Sequence, residues 1–182
     1  MIKFLNIFKK RDDNIFIPRR TKEEKDKKLL FRTYRKIRDY IKNGSQGDLD
    51  LRHSLIEFLP KNLTEVNGNL ILIGCKNLKS LPNNLIVHGD FNLNRCVNLV
   101  SLPNNLIVNG TLDLEGCKNI ISLPSGLKIK YVLDIQKTYI DKLPQDLEVG
   151  KFLVLHDTPL SKISQDEIRK MVPKFKGDIY LW

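Results

Sequence analysis

The chain has 182 residues, 41% of them hydrophobic, which suffices for one ordinary domain with its own core and excludes a wholly disordered protein. No stretch approaches the roughly 20 consecutive apolar residues needed to cross a bilayer, so integral membrane association is not expected. The net charge of +10 is uneven: residues 1–46 hold 15 Lys/Arg against 6 Asp/Glu, whereas residues 47–182 hold 16 against 15, so an acidic partner would be met by the first quarter of the chain.

Residues 1–20 open with "MIKFLNIFKK", apolar first and positive afterwards. This is the reverse of a secretory signal, and no small-residue cleavage site follows. Three cysteines without a dense framework agree with a reducing compartment, so the expected location is cytoplasmic, or the host cytoplasm or virion for a viral protein. Two apolar clusters, Phe4/Leu5/Ile7/Phe8 and Ile15/Phe16/Ile17, flank "KKRDD", and Pro18 favours an extended backbone before it. The segment reads as an extended basic and apolar arm, with Lys9, Lys10, Arg11, Arg19 and Arg20 as candidate contacts to protein or nucleic acid. A membrane-surface anchor is a weaker reading, since eight residues give little amphipathic signal and no N-terminal Gly is present for myristoylation.

Residues 21–46 read as a capping helix. Thr21 and Glu24 form a capping-box pattern, Asn43-Gly44 is a stop signal, and the predicted helix runs from about 22 to 42. Leu30, Tyr34, Ile37 and Ile41 share one face, expected to cover one end of whatever follows, while Arg32, Arg35 and Arg38 join the basic set.

From residue 47 the chain repeats itself. "GNLILIGCKNLKSLPNNLIVH" (68–88), "GDFNLNRCVNLVSLPNNLIVN" (89–109) and "GTLDLEGCKNIISLPSGLKIK" (110–130) align without a gap. Residues 47–67 precede them, and residues 131–149 and 150–163 follow. A fixed period of 20–50 residues is the mark of a repeat architecture. Leu70/Leu72 recurs as Leu49/Leu51, Phe91/Leu93, Leu112/Leu114, Leu133/Ile135 and Leu153/Leu155, an alternation that predicts a short strand per unit. The Leu-Pro pairs at 59–60, 81–82, 102–103, 123–124 and 143–144 turn the chain out of that strand layer, and Leu85/Val87 and Leu106/Val108 lead back to the next Gly. Stacked units bury the leucines that a single unit cannot.

"LPxxL" with "LxL" at a period near 21 resembles the leucine-rich repeats of the short bacterial type, found in secreted effectors and in bacterial, phage and large-virus proteins. The resemblance covers residues 47–163. It implies an α/β solenoid with a short-stranded parallel sheet on a concave side and, usually, protein binding. Some effector relatives carry a C-terminal ubiquitin-ligase domain with a catalytic cysteine; no Cys follows Cys117 here, so that activity is not expected. Residues 164–182 read as a C-terminal helix-strand cap: Ser164 and Glu167 repeat the capping-box pattern, Pro173 stops the helix, and "GDIYLW" makes a closing strand.

Cys75, Cys96 and Cys117 recur at the 21-residue interval and should stack on neighbouring coils. Stacked side chains point the same way, which suits neither a disulfide nor a tetrahedral zinc site. They read as small buried hydrophobes, and Asn77, Asn98 and Asn119 as hydrogen-bond partners of the next coil's backbone. His53, His88 and His156 fall at different repeat positions, and no phosphate loop, HExxH or paired-carboxylate motif occurs, so no catalytic, metal or cofactor set is assigned. The expected function is a non-enzymatic protein-interaction scaffold using the outward strand positions Asp50, Arg52, Asn92, Asn94, Asp113, Glu115, Asp134, Gln136, Phe152, Val154 and His156. The alternative is a nucleic-acid-binding accessory protein acting through residues 1–46, with Tyr34 or Tyr40 stacking on a base.

Overall fold

A computed structural model describes residues 21–182. The proposed arm, with Lys9, Lys10, Arg11, Arg19 and Arg20, lies outside the described residues. Helix α1 (Lys22–Lys42) precedes eleven short strands: β1 (Leu49–Asp50), β2 (Glu65–Val66), β3 (Leu70–Ile71), β4 (Ile86–Val87), β5 (Phe91–Asn92), β6 (Ile107–Val108), β7 (Leu112–Asp113), β8 (Lys128–Ile129), β9 (Val132–Asp134), β10 (Glu148–Val149) and β11 (Phe152–Val154). A 3-10 turn (Pro159–Lys162), helix α2 (Gln165–Met171) and strand β12 (Asp178–Tyr180) complete the chain. Among the described residues, no helix is long and apolar enough to cross a membrane.

Both helices start where the sequence predicts. The Thr21 hydroxyl accepts from the Glu24 N–H at 3.2 Å while the Glu24 carboxylate accepts from the Thr21 N–H at 3.0 Å, which satisfies two donors the first turn would otherwise leave open. Ser164 and Glu167 make the same reciprocal pair at α2.

The strands form a β-solenoid of about five turns with two parallel sheets. One sheet has the order β1-β3-β5-β7-β9-β11-β12, the other β10-β8-β6-β4-β2. The second sheet departs from expectation. Leu85/Val87 and its equivalents were read as a return path, yet Val66, Val87, Val108, Ile129 and Val149 pair in register as a five-stranded sheet. Two residues per strand, three beyond a proline turn, are too few to show alternation distinct from a connection.

In the seven-stranded sheet, Leu49, Leu70, Phe91, Leu112, Leu133 and Leu153 stand in one buried row, with Leu51, Leu72, Leu93, Leu114, Ile135 and Leu155 two residues on. Each such side chain contributes about 1.5–3 kcal/mol on burial. Ile37 of α1 is fully buried in the same core, with Leu30, Tyr34 and Ile41 half-buried against it, so the predicted helix face is the inward one.

Three columns explain why the period is held. Three residues past the ends of β1, β3, β5, β7, β9 and β11 the chain turns through a left-handed backbone: His53, Gly74, Arg95, Gly116, Lys137 and Asp157 all have φ between 54° and 72°. Glycine adopts this freely, whereas the other residue types bear a strain of roughly 1 kcal/mol. Next, Asp48, Asn69 and Asp90 each accept the N–H of the following coil's equivalent residue, at Asn69, Asp90 and Thr111, all at 2.7 Å. The Gly preceding Asn69 and Asp90 is required by space: a Cβ on Gly89 would lie 2.8 Å from the Gly68 carbonyl carbon and run into the Asn69 amide oxygen, whereas Gly47, before Asp48, has open space and a φ of 76°.

The third column contains the cysteines, and here the structure corrects the sequence reading. Ser54, Cys75, Cys96, Cys117, Thr138 and Thr158 occupy equivalent places, all buried. Cys75, Cys96 and Cys117 donate from Sγ to the carbonyls of Leu51, Leu72 and Leu93 on the preceding coil, at 3.0–3.1 Å. Thr138 and Thr158 donate to Ile135 and Leu155 within their own coils. What the place demands is a small side chain with a γ-donor, not a small hydrophobe. Burial raises all three thiol pKa values, that of Cys117 to about 12, so the sulfurs stay protonated. Asn77 and Asn98 donate to Leu55 and Lys76, which places their partners on the preceding coil rather than the next.

Two stability measurements follow. Gly89→Ala should lower the unfolding free energy by about 2–4 kcal/mol in a denaturant titration, from the close approach alone. Cys96→Ala should lose about 1–2 kcal/mol, and Cys96→Ser, which keeps the γ-donor, should retain more stability than the alanine variant.

Candidate binding surface

The outward strand positions predicted from sequence converge on one face of the seven-stranded sheet. In register across it run Asp50, Ile71, Asn92, Asp113, Asp134, Val154 and Tyr180. Arg52, Asn94, Glu115, Gln136 and His156 lie two residues further along their coils, and Phe152 two residues before Val154. Seven strands at about 4.8 Å spacing span about 29 Å.

The polar residues are already engaged. Asp50, Asn92, Asp113 and Asp134 accept the backbone N–H two residues on, from Arg52, Asn94, Glu115 and Gln136, at 2.8–3.1 Å. These short bonds close the end of each strand, which is why the position favours Asp or Asn. Links between coils come next. The Asn92 amide donates to Asp113 and the Asn94 amide to Glu115, both at 2.9 Å. Lys137 pairs with Glu115 at 2.6 Å, and Arg52 with Asp50 at 2.9 Å.

Two carboxylates pull against two others. Desolvation raises the pKa values of Asp113 and Asp134, which stand beside each other on adjacent strands and share the neighbouring charge of Glu115. The Lys137 ammonium lowers that of Glu115, and the Arg52 guanidinium that of Asp50. The centre of the face therefore holds its negative charge at a cost, while the N-terminal end is neutralised.

The C-terminal end is apolar and includes a residue the sequence reading missed. β12 pairs with β11, so Tyr180 aligns with Val154, and its ring meets Phe152 edge-to-face with centroids 5.6 Å apart. The signal was available in "IYLW", but the register of a strand beyond a helix cannot be counted from the repeat. Lys137 was also missed: it belongs to the left-handed turn column and reaches the face only through Glu115.

The helix residues are arranged differently. Arg32 and Arg35 are exposed on α1, and Arg38 pairs with its neighbour Asp39 at 2.9 Å. Tyr40, expected as a candidate for base stacking, has its hydroxyl held 2.6 and 2.8 Å from the Ser45 and Gly47 carbonyl oxygens. Tyr34 packs its ring towards Phe58. Among the described residues, no group of three His, Cys, Asp or Glu side chains is placed to hold a metal ion. Comparison with protein-family models, curated proteins and solved structures finds no match for the chain.

The raised pKa values of Asp113 and Asp134 give a signed pH effect. A carboxyl with a folded pKa above its unfolded value gains stability as pH falls through the folded value, whereas Glu115, with a lowered pKa, loses its contribution only below its ordinary 4.5. Urea midpoints should therefore rise modestly on acidification from pH 7 towards 4.5. Asp134→Asn, whose amide the Gln136 side chain can meet by turning over, should flatten that rise.

Proposed function

We propose that the protein is a leucine-rich-repeat solenoid acting as a non-enzymatic protein-interaction scaffold. In this reading the outer face of the seven-stranded sheet is the concave binding face, α1 and the α2–β12 unit are its caps, and the basic N-terminal residues add a second contact. A setting in a viral or other macromolecular assembly follows from the same resemblance. The observation that carries the proposal is the end of the sheet at Phe152, Val154 and Tyr180, an apolar patch beside desolvated aspartates. Phe152 is half-buried and Tyr180 exposed, and aromatic anchors next to fixed polar groups are what protein interfaces concentrate. Because the Asn, Asp and Glu side chains are already held by hydrogen bonds, little rotamer freedom is lost when a partner arrives.

Size narrows the partner. A face about 29 Å long and one strand-width of about 10 Å offers well under the roughly 800 Å² per partner of a standard interface. The fit is to a short extended segment, or to a larger protein that also meets α1 and the basic residues. The buried, protonated thiols and the dispersed histidines support binding over catalysis.

The test is affinity capture with the full chain, with and without nuclease. Phe152→Ala combined with Tyr180→Ala should lower capture of a nuclease-resistant protein partner by at least about tenfold with the thermal midpoint little changed. If every partner is lost on nuclease treatment, and binding falls steeply with salt, the nucleic-acid reading through Arg32, Arg35, Arg38 and residues 1–20 replaces it.

A further inference from the structure

Phe58 is out of keeping with its column. It bridges Ser80 on the next coil, and the equivalent places further on are Ser101 and Ser122, yet this phenylalanine is 54% exposed. Its ring faces Tyr34 of α1 with centroids 6.5 Å apart, and Phe31, one helical turn from Tyr34, is 68% exposed. Phe58, Leu81 and Pro82 line a groove of about 650 Å³. A second groove of about 400 Å³ shares Leu81 and continues along Leu102, Pro103 and Leu123. The exposed lining of the first groove is mainly apolar, whereas that of the second is mainly polar, from Ser101, Asn104 and Ser122, so the exposed aromatics and the first groove mark the contact surface.

We propose that the first groove receives the chain's own N-terminal segment, with Ile15, Phe16 and Ile17 against Phe58, Leu81 and Pro82. The reach is sufficient. From Tyr34 back to Thr21 the helix carries the chain about 20 Å away, at 1.5 Å per residue. Six extended residues from Thr21 to Ile15 span about 20 Å, which brings this cluster back to Phe58.

Chemistry selects which part of the segment enters. The two grooves are lined by Ser, Thr, Asn, Leu, Pro, Phe and Lys61, with no carboxylate. Nothing there attracts Lys9, Lys10 and Arg11, so Ile15, Phe16 and Ile17 enter rather than the basic run before them. Affinity need not be high, because a tethered segment has an effective concentration in the millimolar range. The seven-stranded sheet stays free, so this docking stands or falls independently of the scaffold reading.

The test uses the full chain with the photo-reactive benzoylphenylalanine in place of Phe58, irradiated at low concentration and digested for mass spectrometry. The expected product is a monomer cross-linked to the segment holding Ile15, Phe16 and Ile17, lost in the Ile15→Asp/Phe16→Asp double variant. A cross-linked dimer, a cross-link elsewhere, or one unaffected by the two aspartates would overturn the proposal. A second readout is dye binding to exposed apolar surface, which should rise when residues 1–20 are removed; no rise would also overturn it.

Discussion

Everything in this molecule depends on the backbone hydrogen bonds between one coil and the next. The strands are two or three residues long, and none would pair as an isolated hairpin or persist alone. They exist because each pairs in register with a neighbouring coil, the inner strands on both sides, so the N–H of Leu49 meets the Asn69 carbonyl, that of Leu70 the Asp90 carbonyl, and that of Phe91 the Thr111 carbonyl. A one-residue slip of a strand against its neighbour would turn its leucines to solvent, so where the coil shortens to 20 residues, between Leu133 and Leu153, the loop absorbs the difference and both stay paired and buried. The side-chain columns are devices for holding that count: a left-handed turn, a glycine with its Asp or Asn, and a γ-donor in the core.

Because the constraint is periodic, most of the fold was legible in the sequence. The leucine alternation, the Leu-Pro turns and the two capping boxes point to elements that the structure contains. What remained hidden has a common cause. The second sheet was missed because two residues after a turn carry no pattern. The role of the thiols was missed because cysteine was compared with hydrophobes, although Ser54, Thr138 and Thr158 in the same column have only the γ-donor in common with it. Tyr180 was missed because β12 pairs after α2 has interrupted the repeat.

The candidate surface was legible to a lesser degree. Counting outward positions finds the row from Asp50 to Val154, since alternation alone sets it. Counting does not show that four of these residues are bound to their own strand ends, nor that burial at Asp113 and Asp134 opposes their ionisation. Aspartates that looked like free charges for a basic partner are partly committed to the turn. In the proposed scaffold reading, recognition then falls to the apolar end, where Phe152, Val154 and Tyr180 stand together.

The two ends of the stack raise a matter of growth. A parallel sheet with in-register open edges is a template for adding further strands, the same geometry that drives fibrils. At one end Lys36 donates to the Asp50 carbonyl at 2.5 Å, and one turn along α1 Tyr40 reaches Gly47. At the other, Gln165 and Arg169, also one turn apart, donate to Ile179 and Gly177. These side chains occupy acceptors that an incoming strand would need. At the edges of the seven-stranded sheet these contacts do not depend on how many coils lie between them, so whole 21-residue units could be duplicated or lost over time with the same side chains still set against both edge strands.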